Sequence, residues 1–288
     1  MSRIKRGWAL TKKSWALLSS HRELIRFPLY GAVAMIPLAI LFFAPGLYLL
    51  DQNTYAGAIP ILIIGVYVLS VISFYFSVGL AAAANMIFSG QANVTVADGL
   101  AVARSRFAQI CGWAALSTAI SVLMAALENQ GGIAGNIAAR LVGAAWSLVT
   151  FLAVPVIAIE GSSPFGTLKR SASIFKSKWG QQITGNLAIG AAIFLLGILP
   201  AAILIAAGFL IWASASFLGA LLVVIGAIVL AIAMLVSKAL NGIFGVALYR
   251  YATGGEAVGG FTTAELESAV KVKGGGRSAP PTATPGTV

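Results

Sequence analysis

Six long apolar stretches constrain this chain more than any other feature of its sequence. A hydrocarbon core of about 30 Å is crossed by roughly 20 helical residues, and each stretch reaches that length. Backbone polar groups in lipid must be paired within the segment, so these stretches favour helices over strands. They lie at residues 27–50, 59–88, 108–127, 138–160, 183–212 and 217–251.

The low charge of the chain supports the same interpretation. Of its 288 residues, 59% are hydrophobic and only 9% are charged, whereas soluble domains average about 25% charged residues. We therefore predict an all-α, polytopic membrane protein with six transmembrane helices. Residues 1–255 form the integral membrane domain. Residues 256–288 form a cytoplasmic tail, which is expected to be disordered from about residue 274 because it is rich in Gly, Pro and Thr.

Positive charge is distributed unevenly along the chain. All but two of its 19 Lys and Arg residues lie before the first stretch, between the second and third, between the fourth and fifth, or at and beyond the end of the sixth. The other three connections, near 51–58, 128–137 and 213–216, contain none. Cytoplasmic segments carry the excess of Lys and Arg, so both termini are expected on the cytoplasmic side of the inner (cell) membrane. The net charge of +11 then indicates a membrane surface as partner, and not nucleic acid.

A short motif recurs three times in the basic segments. "VARSRFAQ" at 102–109 aligns with "IFKSKWGQ" at 174–181, and "LTKKSWAL" at 10–17 aligns with both. One set of side chains, mostly apolar, then recurs at i, i+4, i+7 and i+11, which is a single stripe of an α-helix. The three stripes are Ile4, Trp8, Thr11 and Trp15; Val96, Leu100, Ala103 and Phe107; and Leu168, Ala172, Phe175 and Trp179.

Each of these amphipathic helices precedes a pair of apolar stretches. The pattern predicts three helical-hairpin repeats of one orientation, at about 1–90, 91–161 and 162–254. The second stretch of each pair ends at a glycine, namely Gly90, Gly161 or Gly254. Glycine follows helices because it adopts positive φ at little cost, so left-handed backbone is expected at all three.

Two segments resemble known membrane families. "VPVIAIEGSSPFGTLKRSASIFKSKWG" at 154–180 is similar to the repeated membrane segment beside bacterial glycerophosphodiester phosphodiesterases and in related inner-membrane families. "RGWALTKKSWALL" near the N-terminus resembles the opening of a prokaryotic multi-pass membrane family of unknown function. The resemblance implies a membrane scaffold. It carries over no catalytic residues, because the sequence contains no phosphodiesterase domain.

The residues that could perform chemistry are few and scattered. The eight acidic residues lie at span ends, in connections or in the tail, and the chain has one histidine, His21, and one cysteine, Cys111. Acid–base catalysis and zinc binding both need several such groups together, so no enzyme activity, metal or cofactor is predicted. The expected function is a non-enzymatic membrane scaffold or accessory protein. The alternative is a transporter, or a protein that binds or translocates lipid.

One lysine falls deep inside an apolar stretch and marks a candidate site. Lys238 lies sixteen residues before Gly254, roughly 24 Å along a helix, and an ionisable group at membrane depth suggests function. The candidate polar or lipid site comprises Lys238, Asn241, Ser73 and Ser77, with Ser70 as a further neighbour. Alternatively, the last helix extends beyond the bilayer and Lys238 reaches the inner headgroups along its own flexible stem.

A second set of basic residues belongs to the repeated helices. Juxtamembrane Lys and Arg are attracted to anionic lipid, and the same face is expected to meet a protein partner. The predicted lipid contacts are Lys12, Arg104, Lys169, Arg170, Lys176 and Lys178. Glu160, which ends the fourth stretch, is expected to pair with Lys169 or Arg170.

Overall fold

The structure is a computed structural model, and it describes residues 15–130, 142–143, 146–147, 150–179, 194–212, 214–263 and 266. All regular structure in these residues is helical. In chain order the α-helices with both ends described are α1 (Glu23–Asp51), α2 (Tyr55–Phe88), α3 (Val96–Ser105), α4 (Phe107–Gln130), α5 (Ala153–Glu160), α6 (Pro164–Trp179), α7 (Leu199–Ile211) and α8 (Ser216–Gly254), with a π-helical turn at Phe194–Ile198 before α7. Residues 15–20 are also helical.

Four of these helices are long and apolar enough to cross a membrane. They are Glu23–Asp51, Tyr55–Phe88, Phe107–Glu128 and Ser216–Gly254, and they coincide with the first, second, third and sixth predicted stretches. In the described residues the prediction of helical structure is confirmed, and the four apolar helices support the predicted membrane location. The stretches 138–160 and 183–212 lie partly outside the described residues, so the count of six spans stays a prediction.

Helices α2 and α8 run in parallel and end side by side. Arg250, near the end of α8, donates from Nη1 to Ser89 Oγ at 2.9 Å, just past the end of α2. Further back, Gly242 of α8 packs against the Leu80 side chain. This is the arrangement expected of the second spans of two equivalent hairpins, although the repeat itself stays a prediction.

The charged end of the molecule is the end at which α2 and α8 terminate and α1 begins. Helix α3 packs here against α2, since a Cβ placed on Gly99 would lie 2.5 Å from the Gly79 carbonyl oxygen. Arg104 on α3 and Lys169 and Lys176 on α6 are exposed. We call this the basic end.

Burial divides the molecule into two zones along its helices. Near the basic end the helices enclose a protein core, which includes Phe27, Leu80, Trp113, Ile157 and Leu240, each no more than 2% exposed. Farther along, the same helices present large apolar side chains outward, among them Ile40, Ile64, Leu210 and Phe217. A continuous apolar exterior of this kind is what lipid requires.

The glycine ends follow the sequence prediction at two positions and differ at the third. Gly90 and Gly161 have φ of 82° and 64°. Gly254 is the last residue of α8, and the left-handed residue is Gly255, with φ of 73°. The prediction for Gly254 was wrong by one residue because α8 continues until the Gly255 N–H reaches the Tyr251 carbonyl at 2.9 Å.

The buried face of α6 is rotated relative to the predicted stripe. Thr167 and Ser171 are fully buried and are followed by Ile174 and Phe175, whereas Leu168 and Ala172 are only half-buried. The Thr167 hydroxyl donates to the Ser162 carbonyl at 3.2 Å, which removes the cost of burying it. In α3, Ala103 is buried and Val96 and Leu100 are half-buried, but the helix ends at Ser105, so the predicted stripe does not continue to Phe107 within one helix.

Candidate functional site

The central contact of the candidate polar site joins α8 to α2. The Lys238 ammonium donates a hydrogen bond to Ser73 Oγ at 2.8 Å, across 165 residues of sequence, and both residues are half-buried. Among the described residues Lys238 has no acidic partner, since the ion pairs found there join other residues. A charged group inside a bilayer costs about 2.5–3.5 kcal/mol on insertion scales, so its position relative to the membrane is decisive.

The other predicted members of this site bond within their own helices. Ser77 Oγ donates to the Ser73 carbonyl at 2.7 Å. The exposed Asn241 amide donates to the Ser237 carbonyl at 2.9 Å. The structure therefore brings Lys238 and Ser73 together. It places Ser77 one turn farther along α2, and Asn241 one turn farther along α8 on an open surface.

The apolar exterior of α8 locates Lys238 along that helix. Exposed large apolar residues extend from Phe217 to Met234, a length of about 26 Å at 1.5 Å per residue. Lys238 follows Met234 by four residues, about 6 Å, and the chain becomes buried in protein immediately afterwards. It therefore lies at the boundary between the apolar exterior and the protein core, and not in the middle of the apolar zone.

Helix α3 gives the same level independently. Its Asp98 and Arg104 side chains are exposed, as expected for a helix outside the hydrocarbon. The Tyr75 hydroxyl of α2 donates to the Leu100 carbonyl of α3 at 3.4 Å, so α3 lies beside the first turns of α2 beyond Ser73. Both observations put the Lys238–Ser73 contact close to the basic end of the helices.

A second polar cluster joins α5, α6 and α8 at the basic end. Glu160 Oε1 accepts hydrogen bonds from Arg170 Nε at 2.7 Å and from the Tyr249 hydroxyl at 2.6 Å. Glu160 and Arg170 retain side-chain exposures of 26% and 46%, while Tyr249 is 5% exposed. The hydrogen bond to the Glu160 carboxylate raises the pKa of Arg170. One carboxylate thus holds three helices together.

Sequence reasoning anticipated one partner of Glu160 and missed the other. Arg170 was one of the two expected partners, and Lys169 is instead exposed. Tyr249 was not singled out, although a tyrosine hydroxyl in an apolar helix needs a hydrogen-bond partner. This requirement, together with the Glu160 carboxylate at the end of a neighbouring helix, could have predicted the hydrogen bond between Tyr249 and Glu160.

Next to this cluster, the Arg106 side chain packs directly on Gly161. A Cβ on Gly161 would lie 2.3 Å from Arg106 Nη1. Within the described residues, four buried polar atoms have no hydrogen-bond partner: Arg106 Nε, Gln109 Oε1, Thr118 Oγ1 and Ser171 Oγ. Buried polar groups are usually paired with protein or ordered water, so these four atoms are exceptions within the described core.

The other acidic side chains of the described region have structural partners or lie apart. Asp98 and Thr95 form a capping box at the start of α3, and the hydrogen bonds from the Thr95 hydroxyl and backbone N–H lower the pKa of Asp98. Glu23 pairs with Arg26, and Glu256 pairs with Arg250 at 3.2 Å. In the part of the chain that the structure describes, no three His, Cys, Asp or Glu residues are grouped as metal ligands would be.

Those predicted anionic-lipid contacts that the structure describes all lie at the basic end. Arg104, Lys169 and Lys176 are exposed, and Arg170 is partly exposed while it pairs with Glu160. The Phe165 side chain, at 67% exposure, lies on α6 among the basic residues. Lys12 and the Lys178 side chain lie outside the described part of the structure.

Comparison with known proteins gives a family and no characterised relative. Residues 56–260 match the profile of a family of unknown function, DUF6159. No curated protein matches the chain. The resemblance of residues 154–180 to the membrane segment of glycerophosphodiester phosphodiesterases is not shown by these comparisons and stays a prediction.

Proposed function

The chain belongs to the DUF6159 family, and we propose that it is a non-enzymatic scaffold or accessory protein of the cell membrane. In this proposal six spans form three hairpin repeats, with both termini and the basic end at the cytoplasmic face. The absence of Lys and Arg from the three connections at the opposite end supports this orientation. The resemblance to membrane segments found beside phosphodiesterases is compatible with an accessory role.

The observation that carries the proposal is the use of Glu160. This carboxylate is engaged by Arg170 and Tyr249 and so holds an amphipathic helix against the ends of α5 and α8. A catalytic carboxylate would instead need an approach for substrate and a neighbouring acid, base or nucleophile. The geometry suits a fixed platform at the membrane surface.

The exposed side of α6 supplies the surface of that platform. Lys169 and Lys176 are directed away from the core, and Phe165 is exposed beside them. Each such Lys is worth about 1 kcal/mol of attraction near an anionic leaflet, and an exposed aromatic ring suits the headgroup region. The partners proposed for this surface are anionic lipids and a cytoplasmic protein, and not nucleic acid.

Lipid analysis of the purified protein tests this role. The full-length protein, extracted in mild detergent from membranes of mixed composition, should retain anionic phospholipid in excess over its share of the membrane. Replacing Lys169, Lys176 and Lys178 with Gln should reduce that excess, whereas replacing Lys271, Lys273 and Arg277 in the tail should change it little. Equal retention by the two triple variants would contradict the proposed lipid contact.

A second candidate function is lipid binding or translocation, and the Lys238–Ser73 contact favours it. Polar groups that face one another between spans are what a lipid headgroup or a transported solute would require. The described spans contain few other polar contacts between helices, so the scaffold role remains the leading proposal.

A further inference from the structure

The Lys238 ammonium has more hydrogen-bonding capacity than the protein uses. A lysine ammonium carries three N–H donors, and one of them is directed to Ser73 Oγ at 2.8 Å. Among the described residues no second acceptor and no carboxylate is bonded to it. Ser73 contributes no negative charge, so the positive charge of Lys238 is not balanced by this contact.

The surroundings of Lys238 indicate what could balance that charge. On the N-terminal side of Lys238, α8 exposes Met234 and Ile232, at 59% and 56%. This apolar surface suits acyl chains. On the C-terminal side of Lys238, the exposed Asn241 amide lies one helical turn away. A group that meets this surface must be apolar toward the exterior and anionic at the level of Lys238.

We propose that Lys238 and Ser73 bind the phosphate group of one anionic phospholipid at the contact between α2 and α8. The lipid phosphate accepts from the free ammonium N–H groups, and its acyl chains lie along the exposed apolar side of α8. This inference deepens the lipid-binding alternative and rests on that candidate function. It is independent of the basic surface of α6, because none of the residues involved lies on that helix.

Native mass spectrometry of the full-length protein in mild detergent tests the site. The protein should carry one phospholipid, and an anionic lipid such as phosphatidylglycerol should occupy the site in preference to phosphatidylcholine. Lys238→Gln should lower the occupancy by about tenfold, as expected for loss of a hydrogen-bonded charge. Lys238→Arg should retain most of it, and Ser73→Ala should produce a smaller loss.

Three controls separate this site from other causes of lipid retention. Lys271→Gln, which removes a charge from the tail, should leave the single bound lipid in place. The triple variant of Lys169, Lys176 and Lys178 should also retain it. Failure of the proposed lipid contact on α6 would therefore be distinguishable from failure of the Lys238 site. If Lys238→Gln does not fold, titration of the delipidated triple variant with each lipid gives the same answer, since that protein lacks the basic residues of α6 and only the anionic lipid should saturate at one equivalent.

Two outcomes would overturn the inference. In the first, Lys238→Gln and Lys271→Gln retain anionic lipid equally, so Lys238 contacts headgroups without forming a site. In the second, inorganic phosphate at millimolar concentration displaces the bound lipid or raises the unfolding temperature as much as the lipid does. The ligand would then be a soluble anion and not a lipid.

Discussion

At the scale of single residues, Gly161 is the position where substitution is most constrained. Its φ of 64° favours glycine, and Arg106 occupies the space that a side chain would need. The sequence predicted the first constraint from a repeated helix end. It could not predict the second, because the packing of Arg106 on Gly161 depends on how α3, α4 and α5 come together.

Replacing Gly161 with Ala should therefore destabilise the protein more than the same change at Gly90. Both glycines have positive φ, at 64° and 82°, and the left-handed conformation alone costs an alanine about 1 kcal/mol. Gly90 has open space around its Cβ position, so only Gly161→Ala must also displace Arg106. Thermal unfolding in detergent measures the difference, and equal losses for the two variants would refute this account of Gly161.

Tyr249→Phe tests the hydrogen bond to Glu160 with almost no change in shape. The buried hydroxyl donates to the carboxylate at 2.6 Å, so its loss should reduce stability by about 1.5 kcal/mol, the lower end for bonds to charged groups. Tyr251→Phe, two residues along the same helix, is the matched control and should have little effect. A Tyr249→Phe protein as stable as the control would show that the hydroxyl bond is not needed.

At the scale of helices, the sequence predicted four long apolar helices that the structure describes, and it predicted the faces of the short helices less well. Apolar length fixes a span because lipid accepts only helices of sufficient reach, and four described helices coincide with predicted stretches. The face of α6 is harder to predict, because small polar residues such as Thr167 and Ser171 can be buried against neighbours. The spacing of the hydrophobic residues alone does not predict which polar residues of α6 are buried.

The attachment of α6 gives a prediction at this scale. Arg170→Gln removes its ion pair with Glu160, which is partly exposed and so worth only about 0.2–1 kcal/mol. Hydrogen exchange of the α6 amides should become up to about fivefold faster, while exchange in α2 should stay unchanged. Lys169→Gln is the control on the adjacent position, and faster exchange of α6 in that variant alone would reverse the assignment of the ion pair.

At the scale of the whole molecule, the contacts between helices distant in sequence were beyond reach of sequence reasoning. Lys238 was marked as a site from its position in an apolar stretch, and three serines of α2 were named as partners. The choice of Ser73 depends on the register between two helices that are 165 residues apart. The structure also locates Lys238 by its distance from the exposed apolar surface, a measure that the sequence alone does not contain.

The central claim is a membrane protein whose basic end faces the cytoplasm, and cysteine labelling tests it most directly. In a background in which Cys111 is replaced by Ala, single cysteines at Thr54, Gly132, Val94 and Gly166 would be treated with a membrane-impermeant maleimide on intact cells. The account predicts labelling at 54 and 132, and labelling at 94 and 166 only after the cells are opened. Labelling of 94 or 166 on intact cells would contradict both the six-span arrangement and the cytoplasmic position of the basic end.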